Sequence, residues 1–246
     1  MNEASSHSPV SANLATYYHN DVFGSQVLIR ILQPWLGGRV LEVGAGVGRI
    51  TSELSQHCNE VVALEPSPDL FDELCTQVKP LPNVRLHRQT LAEYMSSTSL
   101  GSPDPNDQKF DTVAYINVLE HIADDTDELS RARVFLRPGG RVLIVVPAHQ
   151  WLYSKVDHLT GHFRRYSKQS LRTAIESSGL RTVAMRFFDS AGLIPYLVIY
   201  RWLKSTATDG KSAIIYSRVI LPVSYAFYRL SRGRLIGKNL VAVAIA

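Results

Sequence analysis

The residues with the most chemistry in this chain lie in VLEVGAGVG, from Val40 to Gly48, where Gly44, Gly46 and Gly48 alternate behind Glu42 and Ala45 fills the first gap. A β-branched run that ends in a glycine-rich turn and opens a helix lets a ligand approach the backbone, because glycine has no Cβ, and its N–H groups can face that ligand. A dinucleotide fingerprint needs its third glycine one place later, for close helix-to-strand packing. Position 49 is Arg, so the spacing is wrong for NAD or FAD. Glu42 at the strand end is a poor neighbour for a diphosphate and a good one for a positive charge, met directly or through a water.

S-adenosylmethionine (SAM), with its cationic amino-acid end, fits that sign. A second strand, Glu60 to Glu65, closes on Glu65, where an acidic side chain can accept both ribose hydroxyls. Glu65 also reads as a cap for a helix starting near Pro66 or Ser67, and both roles can coexist. A third strand, Asn83 to Arg88, leads into QTLAEY, where the Gln89 side chain and the backbone near Thr90 and Leu91 can meet the adenine edge. A fourth, Phe110 to Ile116, delivers Asn117 and Val118 to the cofactor side, followed by a helix with Asp124, Asp125, Asp127 and Glu128 near its start, where negative charge suits the helix terminus. LRPGGRVLIVVPAH then reads as a helix stop, a tight turn and a fifth strand. Strand and helix patterns alternate throughout, which calls for a parallel sheet.

Taken jointly, LEVGAGVGR, ALEPS, FDTVAYINVLEHI and LRPGGRVLIVVPAH, covering Arg39 to His149, resemble a class I SAM-dependent methyltransferase. LYSKVDHLTGHFRRYSKQSL and the terminal GKNLVAVAIA further resemble a bacterial-type subgroup found with polyprenyl-phosphate glycosyltransferases and in small-molecule biosynthesis. The resemblance implies an α/β fold: a Rossmann-like, doubly wound, seven-stranded sheet, mostly parallel with an antiparallel edge hairpin of the last two strands, and helices on both faces. Two positions depart from the family pattern. Glu65 stands for the Asp often found on the second strand, and Gln89 stands where many relatives carry an acid for the adenine amino group.

Ligands of an open α/β sheet sit outside the carboxyl ends of its strands, so an acceptor should meet SAM above Asn117, His121 and His149. The stretch from His149 to Tyr166 reads as a long loop dense in polar groups: Tyr153, Asp157, His158, His162, Arg164, Arg165 and Tyr166. Methyl transfer from a sulfonium is an in-line displacement, so alignment supplies much of the acceleration. For a hydroxyl acceptor, a histidine with a pKa of about 6.5 can remove the proton, worth about 10²- to 10⁴-fold. His121 and His149 are the candidates, with His121 alternatively a structural hydrogen-bonding residue. Arg164 and Arg165 can bind a carboxylate or phosphate bidentately. Alternatively, Asp157 pairs with one of them to fasten the loop over the pocket, and adjacent loop residues rarely face the same way.

The 246 residues, 45% of them apolar, are enough for one globular domain with a full core. Residues 1–38 read as an N-terminal helical cap, largely helical from Ser11 to Trp35, with Tyr17 and Tyr18 placed to close over the site. Residues 39–149 read as the SAM-binding core, and 150–246 as the substrate-side loop, helices and final strands. Residues 181–246 hold 10 Lys or Arg against 2 Asp or Glu, while residues 1–180 hold 16 against 20. The basic surplus therefore lies wholly in the tail. Its two apolar patches, Ala191 to Leu203 and Ala213 to Leu230, are too short or too charged to span a bilayer. They suit a membrane interface, a lid over a greasy substrate, or plain core helices. Cys58 and Cys75 lack CxxC spacing, no metal-ligand spacing is evident, and the first residues do not form a signal peptide, so a reduced, cytoplasmic setting is expected.

The function these readings converge on is transfer of a methyl group from SAM to a small-molecule or lipid-like acceptor, O-directed in preference to N- or C-directed. A SAM-binding protein without transfer is the alternative. No NPPY-type sequence for an extruded base and no appended RNA-binding module is present, so nucleic acid is not the expected partner. No signal for an oligomeric state is present.

Overall fold

The computed structural model describes residues 22–98, 109–203 and 215–246. Tyr17, Tyr18 and most of the expected helical cap lie outside the described residues.

Seven strands form one sheet in the order β3-β2-β1-β4-β5-β7-β6: β1 (Arg39–Val43), β2 (Glu60–Leu64), β3 (Val84–His87), β4 (Phe110–Ile116), β5 (Leu136–Pro147), β6 (Arg181–Phe188) and β7 (Asn239–Ile245). Strands β1 to β5 pair in parallel. β7 runs antiparallel to both β5 and β6. The last two strands thus pair at the edge as the family resemblance implies, although residues 189–238 intervene in place of a tight turn. From β1 the chain works outward to β3 and then returns to β4 on the other side of β1. The carboxyl ends of β1 and β4 therefore part around a crevice, the switch point where ligands of such sheets bind.

The apolar strand runs are buried on both faces, and the side-chain period of two divides them. Val142, Ile144 and Val146 join one core with Leu240, Ala242 and Ala244, while Leu143, Val145, Val241 and Val243 join another on the opposite face. Helices α1 (Val22–Leu32), α2 (Arg49–Ser55) and α9 (Leu221–Ser231) cover the second face through Leu32, Leu54 and Leu221. Helices α4 (Leu91–Thr98), α5 (Asp125–Val134) and α7 (Lys168–Ser177) cover the first through Tyr94, Leu129 and Leu171. Helix α3 (Pro68–Val78) buries Leu74 and Val78 beside Ala45.

The stretch from His149 to Tyr166 departs from expectation, for it is not an open loop. It folds into a 3-10 turn, Gln150–Leu152, and a short helix, α6 (Lys155–Leu159). The Asp157 carboxylate oxygen Oδ2 accepts the Ser154 backbone N–H at 2.8 Å and its hydroxyl at 2.9 Å, closing the start of α6 on itself. Ser154 and Asp157 carry the S-x-x-D spacing of a helix start, a local signal outweighed in the sequence by the surrounding polar residues. A single parallel bridge, Ala148 to Tyr166, ties the end of this stretch back to β5. Beyond β6, α8 (Leu193–Tyr196) continues into a π-helical turn, Leu197–Trp202, and a second such turn, Tyr216–Ile220, leads into α9.

Candidate active site

The glycine turn after β1 is closed on itself. The N–H groups of Gly44 and Ala45 both bond the Leu64 carbonyl, at 2.8 and 2.9 Å, and that of Gly48 bonds the Ala45 carbonyl at 3.0 Å. The N–H of Gly46 bonds Glu65 Oε2 at 2.8 Å. The expectation that these N–H groups face a ligand is therefore corrected: the adjoining end of β2 consumes most of them. The turn offers space instead. Gly46, at φ +56°, has no atom within 4 Å of where a Cβ would stand, so any side chain there would project into the cleft. Gly48, at φ +87°, serves packing, since a Cβ there would come within 2.6 Å of Leu74 on α3.

Two carboxylates back this turn. Glu65, 5% exposed, also accepts the Ser67 N–H through Oε1 at 2.9 Å, which satisfies its capping role before α3. Each oxygen keeps a further lone pair for a ribose hydroxyl. Glu42, 2% exposed, accepts the Thr51 hydroxyl at 2.7 Å. Burial pushes its carboxyl up to about 8, eased by Thr51 and reinforced by the charge of Glu65. Two buried carboxylates behind a turn whose N–H groups are spent fit a cationic amino-acid ligand and oppose a diphosphate.

Glu42, Gly44, Ala45, Gly46, Glu65, Pro66, Gln89, Thr90, Leu91, Asn117 and Val118 all line one cleft, while Gly48 is not among its lining residues. Thr90 gives both its N–H and its hydroxyl to Glu93 Oε2, at 2.7 and 2.9 Å, so its side chain caps α4. Asn117 holds φ +54° at the end of β4, its N–H bonded to Val145; Asn tolerates that left-handed backbone better than most residues. The cleft, of about 1580 Å³, exceeds the roughly 300–1,000 Å³ that one drug-sized ligand fills. A donor and an acceptor fit side by side.

The expected acceptor residues separate into two groups. His121, Asp157, His162 and Arg165 line the cleft. His149 does not: its ring stacks on Phe187 at 5.1 Å and bonds the Gly237 carbonyl at 3.1 Å. Tyr153, Arg164 and Tyr166 are likewise outside it and fasten the segment. Tyr153 donates to the His162 carbonyl at 2.6 Å. Arg164 reaches Asp125 at 2.8 Å and the Ala123 carbonyl at 2.6 Å, and the Tyr166 hydroxyl donates to Asp125 at 2.7 Å. The adjacent arginines thus point apart, and the one that pairs with Asp157 is Arg165, at 2.7 Å.

Asp157 is the hub of the acceptor wall. Its oxygens meet His162 Nδ1 at 2.9 Å, Arg165 Nε at 2.7 Å and the Tyr196 hydroxyl at 2.9 Å, besides Ser154. Burial alone would raise its carboxyl, but His162, Arg165 and Ser154 outweigh that and hold it well below the usual range. His121 and His162 meet edge to face, centroids 4.6 Å apart. Burial, with His162 adding, pushes the His121 ring down to about 4. Glu120, 1% exposed, is pushed up to about 8 by burial.

Sequence reasoning missed Glu120 and Tyr196. Glu120 is a charge embedded in the apolar VLEHI run, a signal present but absorbed into the motif. Tyr196 comes from the far C-terminal part of the chain, where no spacing pointed to it. Another buried carboxylate, Asp189, lines the cleft: it accepts Ser224 at 2.6 Å and pairs with Lys238 at 3.2 Å, and Tyr216 donates to it.

Against known proteins, the family profile described as "Methyltransferase domain" matches residues 22–185, more than half of the chain. The chain belongs to that family of methyltransferase domains. A curated relative, the ubiquinone biosynthesis O-methyltransferase of Aliivibrio fischeri (strain MJ11), is 28% identical over 109 residues, 43% of this chain and 42% of that one. The chain thus matches less than half the length of that relative. Among solved structures, a SAM-dependent methyltransferase from Archaeoglobus fulgidus superposes with a TM-score of 0.60 at 16% identity, covering 94% of this chain and 99% of that one. Phosphoethanolamine N-methyltransferase 2 of Haemonchus contortus superposes with a TM-score of 0.62 at 17% identity, covering 98% and 58%. These structural likenesses establish the shared fold.

Glu42 sets a pH dependence. Its folded carboxyl titrates at about 8 against an ordinary 4.5, so the folded protein holds a proton that the unfolded chain releases, and stability falls as pH rises from 4.5 towards 8. In Glu42→Gln that loss is removed. Relative to wild type, the variant's Tm should gain between pH 6 and pH 9, while its affinity for SAM drops by roughly tenfold, the scale of one lost charged hydrogen bond. Thermal scans at both pH values and calorimetric titration with SAM check this; an unchanged Tm difference would contradict the assigned burial.

Proposed function

We propose that the protein transfers the methyl group of SAM to a hydroxyl oxygen of a small-molecule or lipid-like acceptor. In this reading residues 39–149 hold the donor and 150–246 supply most of the acceptor wall. Glu42, Glu65 and the turn at Gly46 hold the amino-acid and ribose parts of SAM, with Gln89, Leu91, Asn117 and Val118 around the adenine. SAM supplies an activated methyl on a sulfonium. The chain's own part is to align the acceptor and take up its proton.

The observation that carries the oxygen assignment is the gathering of Glu120, His121 and His162 in the same cleft as the donor turn. His121 lines the cleft, and burial pushes its ring down to about 4, so it stands there as a neutral imidazole. A neutral imidazole keeps one nitrogen that can accept a hydrogen bond from a hydroxyl. Nitrogen acceptors that attack as free amines need no such proton acceptor once deprotonated. The O-methyltransferase names of the curated relatives agree with this reading. Leu28, Ile50, Ile116 and Phe188 give the cleft an apolar lining, and the exposed Leu159 and Phe163 continue it to the rim, which suits a greasy acceptor.

A cytoplasmic protein touching a membrane surface is the setting that suits such an acceptor. No described helix is long and apolar enough to cross a membrane. Ile194, Trp202, Leu203, Val219 and Leu230 stand exposed among the basic residues of the C-terminal part, an arrangement that binds anionic interfaces.

Incubating the protein with isotope-labelled SAM and cell extract should yield a labelled product whose fragmentation places the methyl on oxygen. A methyl found only on nitrogen or carbon would overturn the assignment. In sedimentation assays the protein should associate with vesicles of anionic phospholipid more than with zwitterionic ones, and Trp202→Glu should reduce that association. Full recovery in the supernatant with both vesicle types would sink the membrane part.

A further inference from the structure

We propose that Glu120, His121 and His162 form a site for a divalent transition-metal ion that receives the acceptor's hydroxyl oxygen. The inference rests on the reading that this cleft methylates a hydroxyl, and it names how the proton of that hydroxyl is released. One carboxylate oxygen and two imidazole nitrogens, one from each residue, lie within 4.8 Å of one another. Metal–ligand bonds of about 2.0–2.2 Å would draw them somewhat closer, within the reach of side-chain rotation.

The His162 ring is oriented as metal-binding imidazoles are. A ligating histidine almost always gives its other nitrogen to a carboxylate or a backbone carbonyl, which fixes the tautomer and aims the ring. His162 does this through Nδ1 and Asp157 Oδ1, at 2.9 Å. No hydrogen bond among the described residues occupies Nε2 of either ring. The planes stand at 88° to each other, centroids 4.6 Å apart.

Glu120 supplies the independent observation. Its side chain is 1% exposed, lines the cleft, and its Oε2 has no hydrogen-bond partner. A buried carboxylate oxygen left unpaired is costly, and native structures rarely keep one without a reason. A cation between it and one nitrogen of each ring removes that cost. Two nitrogens and one carboxylate oxygen make a donor set suited to zinc, iron, cobalt or manganese, and three protein ligands leave coordination positions open for an acceptor oxygen.

The chemistry balances without an oxidant or a further reactant. The hydroxyl coordinates the ion, which lowers its pKa, and its proton passes to water. The resulting oxygen anion attacks the methyl carbon of SAM; the O–CH₃ bond forms as the S–CH₃ bond breaks, its electron pair returns to sulfur, and S-adenosylhomocysteine leaves uncharged at sulfur. With the ion in place His121 serves as a ligand, not as the proton acceptor.

The test is metal binding read independently of turnover. The full chain, freed of metal with a chelator, is titrated calorimetrically with zinc chloride and separately with SAM. One equivalent of zinc should bind, and Glu120→Gln and His162→Ala should each weaken it by tenfold or more, the scale seen when metal-site groups are removed. His57→Ala, an exposed histidine remote in the chain, should not. If His162→Ala fails to fold, the visible spectrum of cobalt-loaded wild type decides, since nitrogen ligation shifts the bands away from those of the aqueous ion. Binding of SAM with no zinc binding, zinc binding indifferent to both substitutions, or an aqueous cobalt spectrum would overturn the metal site and leave the methyltransferase reading standing. Loss of SAM binding by wild type would instead remove the reading beneath it.

Discussion

Glu42 and Glu65 stand buried where β1 and β2 end, and a buried carboxylate is unfavourable unless charge or hydrogen bonds compensate it. Glu65 is compensated by the backbone it grips, the N–H groups of Gly46 and Ser67. Glu42 has the Thr51 hydroxyl, and its carboxyl is left high, at about 8. Glu42 holds its proton to about pH 8 and ionises readily only beside a positive charge, so this end of the crevice favours a ligand bearing a cation and opposes one bearing two phosphates. The glycine turn follows the same constraint. With its N–H groups bonded to Leu64, Glu65 and Ala45, it serves as a smooth wall.

The other half of the cleft depends on one carboxylate in a comparable way. Asp157 starts α6, orients His162, pairs with Arg165 and receives Tyr196 from the C-terminal part of the chain. The stretch from Ser154 to Arg165 and the distant Tyr196 are thereby held around a single charge. The remaining polar residues of the region, Tyr153, Arg164 and Tyr166, act as fasteners that bind this assembly to α5 and to the start of the acceptor wall. The polar groups between His149 and Tyr166 thus divide between those that line the cleft and those that fasten the segment.

What could be read from the sequence follows the range of the interactions involved. The sheet, its switch point and the donor-side residues rest on local patterns: alternating burial, a glycine turn, an acid at a strand end. Those patterns are written within a few residues of each other, so Glu42, Gly46, Glu65 and Asn117 could be named in advance. The acceptor side rests on pairings between distant segments. Whether Arg164 or Arg165 faced inward, and that His149 would be taken up by Phe187 and Gly237, depend on packing that no local spacing encodes. The same holds for the cluster of Glu120, His121 and His162, which joins the end of β4 to the turn after α6 and has no metal-ligand spacing to announce it. The Ser154 and Asp157 helix start was local and could have been read, but a run of charged and aromatic residues made it resemble a loop.

The central claim, that the crevice is made for a positively charged methyl donor, is tested most directly by calorimetric titration of the full chain with SAM and, separately, with NAD. One-to-one binding of SAM with no binding of NAD is the predicted result. Binding of NAD that SAM fails to displace would contradict it.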